Sequence, residues 1–261
     1  MELRTLASGS SGNCALLSHQ GAHLLIDAGV SCRRITTALD ICGIDPRSLS
    51  AILITHEHSD HIAGLATLMK KYRLPVYTSP GTARQLCYRI AAIEDVLHPV
   101  SPSDSFDLPP FHITAFPTPH DAAQSMGFTF EAAHRKAALV TDLGHVTPEV
   151  LSAVSGAHLL VCESNHDVDW VLSGPYPYPL KRRILGEQGH LSNEAGARLA
   201  LTCVEQGAKT VLLAHLSAEN NTPAHALMTA ETIFRAAGID PHRDVLLAAA
   251  PRNELSPRYE V

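Results

Sequence analysis

The sequence has little of what a zinc ribbon, a disulfide scaffold or a membrane protein needs. Its six cysteines lie far apart, and no two form a Cys-x-x-Cys pair, which argues against both a zinc ribbon and a disulfide framework. No apolar run approaches the roughly 20 residues that a membrane helix requires. The first residues, Met-Glu-Leu-Arg-Thr, lack the apolar core of a signal peptide. We therefore expect a cytoplasmic protein with reduced thiols and no membrane partner.

Positive charge is also scarce. Lys and Arg together number 20 against 26 acidic residues, so the formal net charge is −6. The surface as a whole therefore does not attract nucleic acid, although bound dications or a local basic patch could still attract phosphates. A hydrophobic content of 45% and a charged content of 18% are ordinary for a folded globular protein. We expect a single domain over residues 1–261.

Histidine, in contrast, is abundant, with 16 residues in 261. Three of them lie in His56-Glu-His-Ser-Asp-His61, directly after the apolar run 51–54, which predicts a buried strand. In an extended segment residues 56 and 58 point to the same side, so two imidazoles can converge on one ion. The chain then turns into a helix, which places Asp60 and His61 at an adjacent point. The run predicts a site for two divalent ions, which hydrolases hold roughly 3.5–4 Å apart.

The remaining pattern alternates strands and helices without a linker. We predict strands at 3–6, 14–18, 23–26, 51–54, 75–77, 111–116, 126–132, 137–141, 158–162, 210–214 and 245–248. We predict helices at 31–42, 62–72, 81–92, 147–154, 192–206 and 223–237. The two halves are each rich in strands and also contain helices. This order fits an α/β protein in which two sheets pack face to face with helices outside, a four-layer αββα sandwich.

The run Thr55-His-Glu-His-Ser-Asp-His61 resembles the signature of the metallo-β-lactamase superfamily. The resemblance implies that Asp27, in Leu-Ile-Asp-Ala-Gly, supports the histidine loop by hydrogen bonds. It also implies three further ligands at strand ends. His120 would bind the first metal, Asp142 would bridge both metals, and His215 would bind the second metal. Asp121 competes with His120, but a third imidazole is the more usual arrangement in a hydrolase.

The ligand types leave the identity of the metal open. The di-iron redox branch of this superfamily carries an acid at the position of His58, so the histidine favours hydrolysis with zinc or manganese. Iron remains an alternative, because the same set of His and Asp ligands also binds it.

Two further motifs resemble the Glu and His boxes of the tRNase Z branch: Val-Cys-Glu163-Ser-Asn and Gly-His190-Leu-Ser-Asn. In that branch the carboxylate orients an imidazole that protonates the leaving oxygen. A histidine suits this task because its pKa lies near neutrality, and a partner carboxylate raises its protonated fraction. The predicted catalytic residues are thus Glu163, His190 and Asp60. Of these, Asp60 would hold or accept the proton of the attacking water. The alternative for His190 is that it simply precedes a helix capped by Ser192.

Nearly the whole chain resembles the YycJ (WalJ-like) family. The resemblance rests on Leu6-Ala-Ser-Gly-Ser-Ser-Gly-Asn13, Glu163-Ser-Asn-His-Asp167, Gly174-Pro-Tyr-Pro, Lys181-Arg-Arg-Ile-Leu-Gly186, Gly189-His-Leu-Ser-Asn193 and His215-Leu-Ser. It implies a cytoplasmic bacterial exonuclease that degrades duplex DNA from 5′ to 3′ and takes part in mismatch repair.

Several polar residues in these motifs are candidates for binding substrate. The Gly/Ser-rich run 8–13 could hold a phosphate with backbone N–H groups and hydroxyls, or it could be an ordinary tight turn. The basic run 181–183 could neutralise phosphates, or it could be a solvated face. The predicted substrate-binding residues are Ser8, Ser10, Asn13, Asn165, Lys181 and Arg182. His166 also lies close to Glu163 in sequence, but the pattern assigns it no role.

The sequence therefore predicts a dinuclear-metal phosphodiester hydrolase acting on nucleic acid. One alternative is a small-molecule or cyclic phosphodiesterase with the same fold. The other is a non-catalytic regulatory protein that binds metal, against which the complete ligand set argues. The pattern predicts no oligomeric state.

Overall fold

The computed structural model describes residues 1–261, and its strands form two seven-stranded sheets. The first sheet contains β1 (Glu2–Ala7), β2 (Cys14–His19), β3 (Ala22–Ile26), β4 (Leu49–Leu53), β5 (Val76–Thr78), β6 (Leu97–Pro99) and β14 (Tyr259–Glu260), in the spatial order β14-β1-β2-β3-β4-β5-β6. The second contains β7 (Ser105–Leu108), β8 (Phe111–Pro117), β9 (Met126–Ala132), β10 (Arg135–Val140), β11 (Leu159–Glu163), β12 (Thr210–Ala214) and β13 (Leu246–Ala249), in the order β13-β12-β11-β10-β9-β8-β7.

Nine α-helices accompany the sheets. They are α1 (Cys32–Ile41), α2 (Ser59–Ile62), α3 (Leu65–Tyr72), α4 (Pro80–Arg89), α5 (Pro148–Val154), α6 (Val168–Ser173), α7 (Tyr178–Ile184), α8 (Asn193–Glu205) and α9 (Pro223–Ala236). None of these helices combines the length and the apolar character that crossing a membrane would require.

Three hydrophobic clusters separate four layers. The central cluster lies between the sheets and includes Leu24 and Ile26 of β3, whereas Leu25 between them packs on the outer side with α1, α3 and α4. In β12 the same alternation sends Leu212 to the central cluster and Leu213 outward against α5, α8 and α9. This period of two is what a strand buried on both faces requires. The predicted αββα sandwich is confirmed.

The topology places the loops of interest along the ends of parallel strands. Within each sheet, antiparallel pairs give way to parallel ones, from β3 to β6 in the first and from β10 to β13 in the second. The carboxyl ends of parallel strands meet at one edge, where α/β proteins usually bind ligands. Asp27, His56, Asp142, Glu163 and His215 stand at or just after the ends of β3, β4, β10, β11 and β12.

The predicted helix 62–72 was wrong in its extent. The structure divides it into α2 and α3 at Ala63 and Gly64. The amide of Gly64 donates to the carbonyl of Ala28 at 2.8 Å, and a Cβ on Gly64 would lie 2.2 Å from the carbonyl oxygen of Val30. Because the loop after β3 crosses so closely, the chain must break here. The break leaves the single turn α2 to carry Asp60 and His61.

The sequence patterns also missed β6, β7, β14, α6 and α7. These elements have two to seven residues, which is too short for a hydrophobic period to show. The start of α7 is further disguised by Pro177 and Pro179, although a proline at the first turn of a helix costs no hydrogen bond.

Candidate metal centre

The structure brings together all seven side chains predicted to bind metal. Within each group that follows, every ligand atom lies within 4.8 Å of the others. The groups are His56, His58 and His120; Asp60, His61 and His215; His56, His61 and Asp142; and Asp142, Glu163, His190 and His215. We call His56, His58 and His120 the first cluster, and Asp60, His61 and His215 the second cluster. The buried carboxylate of Asp142 lies beside both clusters, which is the arrangement expected of a two-ion site.

Two imidazoles are fixed by carboxylates on the side away from the cluster. Nδ1 of His61 lies 2.8 Å from Oδ2 of Asp27, and Nδ1 of His215 lies 2.9 Å from Oε1 of Glu163. An ionised carboxylate only accepts hydrogen bonds, so both Nδ1 atoms carry the proton. Nε2 is therefore the nitrogen that each ring turns toward the cluster, as in most metal-binding histidines, and a metal ion would replace the proton that the ring otherwise shares there with Asp60.

In the first cluster, two rings form hydrogen bonds to uncharged oxygen atoms instead of carboxylates. Nδ1 of His120 donates to the carbonyl of Gly189 at 3.0 Å, and its Nε2 lies 3.3 Å from Nδ1 of His58. Nδ1 of His56 lies 3.1 Å from the hydroxyl of Thr55. Because Nδ1 of His120 carries the proton, Nε2 of this ring has a lone pair that could bind a cation next to His58.

Two atoms at the centre of the clusters have no hydrogen-bond partner. They are Nε2 of His56 and Oδ2 of Asp142, both in residues that are almost completely buried. A buried polar atom left unpaired costs about 1–3 kcal/mol. Divalent cations would satisfy both atoms, so the residues present fit the metals that this arrangement implies.

The pKa shifts of three buried groups show that the clusters favour positive charge. Burial, reinforced by neighbouring imidazoles, lowers the pKa of His56 well below its ordinary value, so this ring is neutral. Burial alone would raise the pKa of Asp142, but His215 and His61 hold it below its ordinary value. Burial opposes protonation of His215, yet the surrounding carboxylates, Asp142 foremost, raise its pKa to about 10. The acids thus make this pocket attractive to positive charge, for which a metal ion competes with protons.

Two of the acidic residues occupy equivalent places in the two halves of the chain. Asp27 and Asp142 each follow a strand in an Asp-x-Gly sequence, with φ angles of 59° and 62°. The left-handed conformation is uncommon outside glycine and is typical of functional sites that store strain. The glycines are required by close approach, since a Cβ on Gly29 would lie 1.7 Å from the carbonyl oxygen of Asp60. The two Asp-x-Gly sequences lie 115 residues apart and follow different strands, so no local pattern relates them.

Glu163 connects the metal cluster to His190. Its Oε1 lies 2.8 Å from Nδ1 of His190 as well as 2.9 Å from Nδ1 of His215, and its Oε2 accepts the backbone N–H groups of Leu143 and Leu191 at 3.0 and 3.2 Å. Burial would raise the pKa of this carboxyl group, but the two imidazoles hold it well below its usual range. The buried, ionised carboxylate therefore orients both rings.

Comparisons with known proteins agree with this geometry. The family model described as a beta-lactamase superfamily domain matches residues 23–216. The relative named exodeoxyribonuclease YycJ, from Bacillus anthracis, is 36% identical over 239 residues, which cover 91% of this chain and 90% of the relative. This chain belongs to the metallo-β-lactamase superfamily, in its YycJ family. The predictions of the family and of a hydrolase with this fold are confirmed.

Two solved structures show the same fold as this YycJ-family chain. The metallo-β-lactamase fold protein YhfI from Bacillus subtilis has a TM-score of 0.74 at 17% identity and covers 99% of both chains. The short form of human tRNase Z has a TM-score of 0.68 at 19% identity, covering 98% of this chain and 99% of the other.

One buried residue of the YycJ-family signature was missed by sequence reasoning. Glu57 lies between the first two histidines, and its carboxylate accepts the N–H of Ala123 at 2.8 Å and the hydroxyl of Thr82 at 3.0 Å. Its carbonyl accepts a hydrogen bond from Arg89 at 2.6 Å. Glu57 thus joins the histidine loop to α4 and to the loop that carries His120. Alternation along the loop points its side chain away from the candidate ligand clusters, which is why the ligand pattern gave no signal for it.

Most of the candidate substrate residues in the run 8–13 and after Glu163 pack against the predicted metal ligands. Ser8 is buried and its hydroxyl accepts the N–H of His215 at 2.9 Å, while the amide of Asn165 donates to the carbonyl of His215 at 2.8 Å. The amide nitrogen of Asn13 lies 3.1 Å from Nε2 of His61 and 3.3 Å from Oδ2 of Asp60. These three residues support the second cluster, and Ser10 is exposed above them.

The three residues of the basic run 181–183 have different contacts. The ammonium of Lys181 donates to the carbonyl of Leu172 at 2.6 Å, and Arg182 is exposed. Arg183 forms two hydrogen bonds to Asp121, one from Nη2 to Oδ1 at 3.2 Å. Burial would raise the pKa of Asp121, but Arg183 keeps it below its ordinary value. Asp121, the competitor of His120, lies outside the ligand groups and instead fixes Arg183 beside the centre.

His166, which the sequence left without a role, is buried next to this region. Burial lowers its pKa to about 4, so the ring is neutral near pH 7. Its Nδ1 lies 3.4 Å from Oδ1 of Asn165, and its backbone pairs with that of Ser192 at the start of α8. The ring therefore packs where the two motifs meet.

Proposed function

We propose that this protein is a metal-dependent phosphodiesterase that degrades DNA as a 5′-to-3′ exonuclease in the cytoplasm. The observation that carries the proposal is the position of Glu163, whose Oε1 contacts both the predicted ligand His215 and the solvent-accessible His190. A hydrolase whose leaving group is a poor one, such as a sugar alkoxide, needs this kind of positioned acid.

The ligands of two ions follow from the clusters. His56, His58 and His120 would hold the first, and Asp60, His61 and His215 the second, with Asp142 shared between them. Zinc or manganese suits this mixture of imidazoles and carboxylates. When bound, such ions supply a lowered pKa for the attacking water and compensation for the negative charge that develops on the phosphate.

His190 would protonate the departing oxygen. Its Nδ1 is occupied by Glu163, which leaves Nε2 as the nitrogen able to donate a proton, and the side chain is 20% exposed to the cleft. The Glu163 carboxylate stabilises the protonated ring, because it stays ionised next to the developing positive charge.

Asp60 would hold the attacking water by accepting a hydrogen bond from it. Its Oδ2 lies 3.3 Å from Nε2 of His215, and the carboxylate is 21% exposed, so it can act as a ligand and still reach solvent. Hydrogen bonds from His215 and His61 outweigh burial and hold the pKa of Asp60 far below its usual range. The carboxylate therefore begins the reaction ionised.

The choice of DNA rests on the relative's name and on a basic side chain beside the clusters. The YycJ relative is named an exodeoxyribonuclease, and Arg183, bonded to Asp121 next to His120, places a guanidinium group at the side of the ligand clusters. We also propose that residues 1–261 form one domain, since the central hydrophobic cluster draws side chains from both sheets. A role in DNA repair would follow from an exonuclease activity.

The decisive experiment compares two substrates in the presence of Zn²⁺ or Mn²⁺. We expect digestion of 5′-phosphorylated duplex DNA and turnover of bis-p-nitrophenyl phosphate. His190→Ala should slow DNA digestion by about 10²–10⁴-fold, the usual contribution of a general acid. It should slow bis-p-nitrophenyl phosphate much less, because p-nitrophenolate leaves without protonation.

Three other outcomes would contradict the proposal in different ways. Turnover of bis-p-nitrophenyl phosphate and cyclic nucleotides without digestion of DNA would indicate a small-molecule phosphodiesterase. Tight metal binding without phosphodiester turnover would indicate a regulatory protein. Equal loss on both substrates in His190→Ala would remove the general-acid role.

A further inference from the structure

A helical hairpin beside the metal centre exposes a concentration of large apolar side chains. The hairpin is formed by α6 and α7 and spans residues 168–184, between the Glu163 motif and His190. Its exposed members include Trp170, Leu172 and Tyr178, of which Tyr178 is 72% exposed. Large apolar residues left in solvent next to a catalytic centre often mark a binding surface.

The hairpin borders an open surface cavity of about 480 Å³. The lining residues are Leu172, Tyr176, Tyr178, Lys181, Arg182 and Leu185. Two phenol rings and two leucines provide flat apolar walls, and two cationic side chains provide partners for anions. Aromatic faces that stack on bases, combined with positive charge along the backbone, are how proteins bind single-stranded nucleic acid.

The cavity is held at a fixed position relative to the catalytic groups. At the end of α7, Arg183 is bonded to Asp121, and the N–H of His190 donates to the carbonyl of Ile184 at 3.0 Å. Five residues of helix separate Tyr178 from Arg183, a distance of about 7.5 Å at 1.5 Å per residue. This is on the order of two base steps of a stacked strand, at 3.4 Å per nucleotide.

The hairpin is also anchored at its other side, which makes the cavity preorganised. The ammonium of Lys181 on α7 donates to the carbonyl of Leu172 on α6 at 2.6 Å. Trp170 stacks on His225 of α9 with ring centroids 5.0 Å apart, and His225 pairs with Asp167 at 2.8 Å. A binding site that is already ordered loses less entropy when a ligand arrives.

We propose that this cavity is a nucleobase subsite, in which Tyr178 and Tyr176 contact an unstacked base of the substrate strand while Arg182 binds its phosphate. The inference rests on the proposed function and deepens it. It names the substrate class as a nucleic-acid strand with an accessible base close to the scissile bond, a group that bis-p-nitrophenyl phosphate lacks.

The test compares Tyr178→Ala with Tyr88→Ala, a matched control in which an 85% exposed tyrosine is removed from α4. The probe is a fluorescently labelled, 5′-phosphorylated single strand with phosphorothioate linkages that resist hydrolysis, and its binding to the metal-loaded protein is measured by anisotropy. Loss of one base–aromatic stack corresponds to roughly 5- to 150-fold weaker binding. We expect that loss in Tyr178→Ala, none in Tyr88→Ala, and unchanged turnover of bis-p-nitrophenyl phosphate in both.

A second arm identifies the base as the contacted group. A series of probes carries one abasic site at each of the first nucleotides in turn. One of these positions should weaken binding to the unaltered protein and make it insensitive to Tyr178→Ala. If Tyr178→Ala binds the intact probe normally, or if it weakens every abasic probe equally, the subsite proposal is wrong.

These readouts separate the two proposals. Failure of the unaltered protein to hydrolyse any phosphodiester would overturn the proposed function. Normal hydrolysis together with indifference to Tyr178→Ala would overturn only the nucleobase subsite.

Discussion

Removal of the Glu57 carboxylate tests whether a residue that touches no metal controls the first ligand cluster. Glu57 is only 6% exposed and accepts two hydrogen bonds, from the N–H of Ala123 and the hydroxyl of Thr82. Hydrogen bonds to a charged group contribute about 1.5–3 kcal/mol each, so Glu57→Ala should lower the free energy of unfolding by about 3–6 kcal/mol. Glu57→Gln keeps one acceptor oxygen and should lose about half as much.

Metal affinity should fall together with stability. The carboxylate of Glu57 connects the histidine loop to Ala123, three residues after His120. Its loss therefore frees the rings of His58 and His120 to move apart. Groups that position metal ligands typically contribute 10- to 100-fold in affinity. We expect a loss of this size for one of the two ions, with the second ion affected less, because the cluster of Asp60, His61 and His215 has other supports.

Urea denaturation of the metal-free protein and chelator competition with the loaded protein measure the two effects separately. Glu205→Gln is the matched control, since Glu205 is an exposed residue at the end of α8. The reasoning would be refuted if Glu57→Ala unfolded at the same urea concentration as the control and bound both ions with unchanged affinity.

Three further predictions concern the centre and the thiols. Asp142→Ala should reduce the metal content, measured by native mass spectrometry, and abolish hydrolysis; full activity in this variant would contradict a shared carboxylate. Chelation should lower the melting temperature, because His56 and Asp142 regain unpaired buried atoms, and ions at 100 times Kd should restore about 2.7 kcal/mol; a melting curve unaffected by chelator would contradict it. Exposed Cys87 should react first with a thiol reagent at pH 8, whereas Cys203, whose pKa burial raises from 9.0 to about 11, should react only on unfolding. Because that folded pKa is raised, the stability that this neutral thiol contributes is complete below pH 9 and is lost as pH rises toward 11. Mass spectrometry of the labelled peptides decides the order of reaction.

Local patterns were sufficient for much of the fold and for the first half of the site. The alternation of strand residues and the serine and threonine caps of α1, α5 and α8 are properties of adjacent residues, so they are readable without a structure. His56, His58, Asp60 and His61 lie within six positions and directly after a buried strand. Their convergence follows from the geometry of a strand that enters a helical turn.

His120, Asp142 and His215 required the resemblance to a family, because no local pattern marks them as ligands. They come together because the ends of parallel strands share an edge, and the order of strands in a sheet is a property of the whole chain. Glu163 shows the same limit. Its partners His190 and His215 are 27 and 52 residues away.

The sequence by itself determined the histidine run, with its four side chains of metal-binding chemistry, and the buried strand that the run follows. Those features depend on side-chain chemistry and on backbone periods of two or three to four residues. Only the tertiary structure decided that Glu57 supports the first cluster, with hydrogen-bond partners 25 and 66 residues away, and that Ser8 lies under His215. It also decided that Arg183 pairs with Asp121 and that the hairpin of α6 and α7 borders an open cavity. These contacts join segments distant along the chain, and folding brings them together because their apolar faces must be buried at the same time.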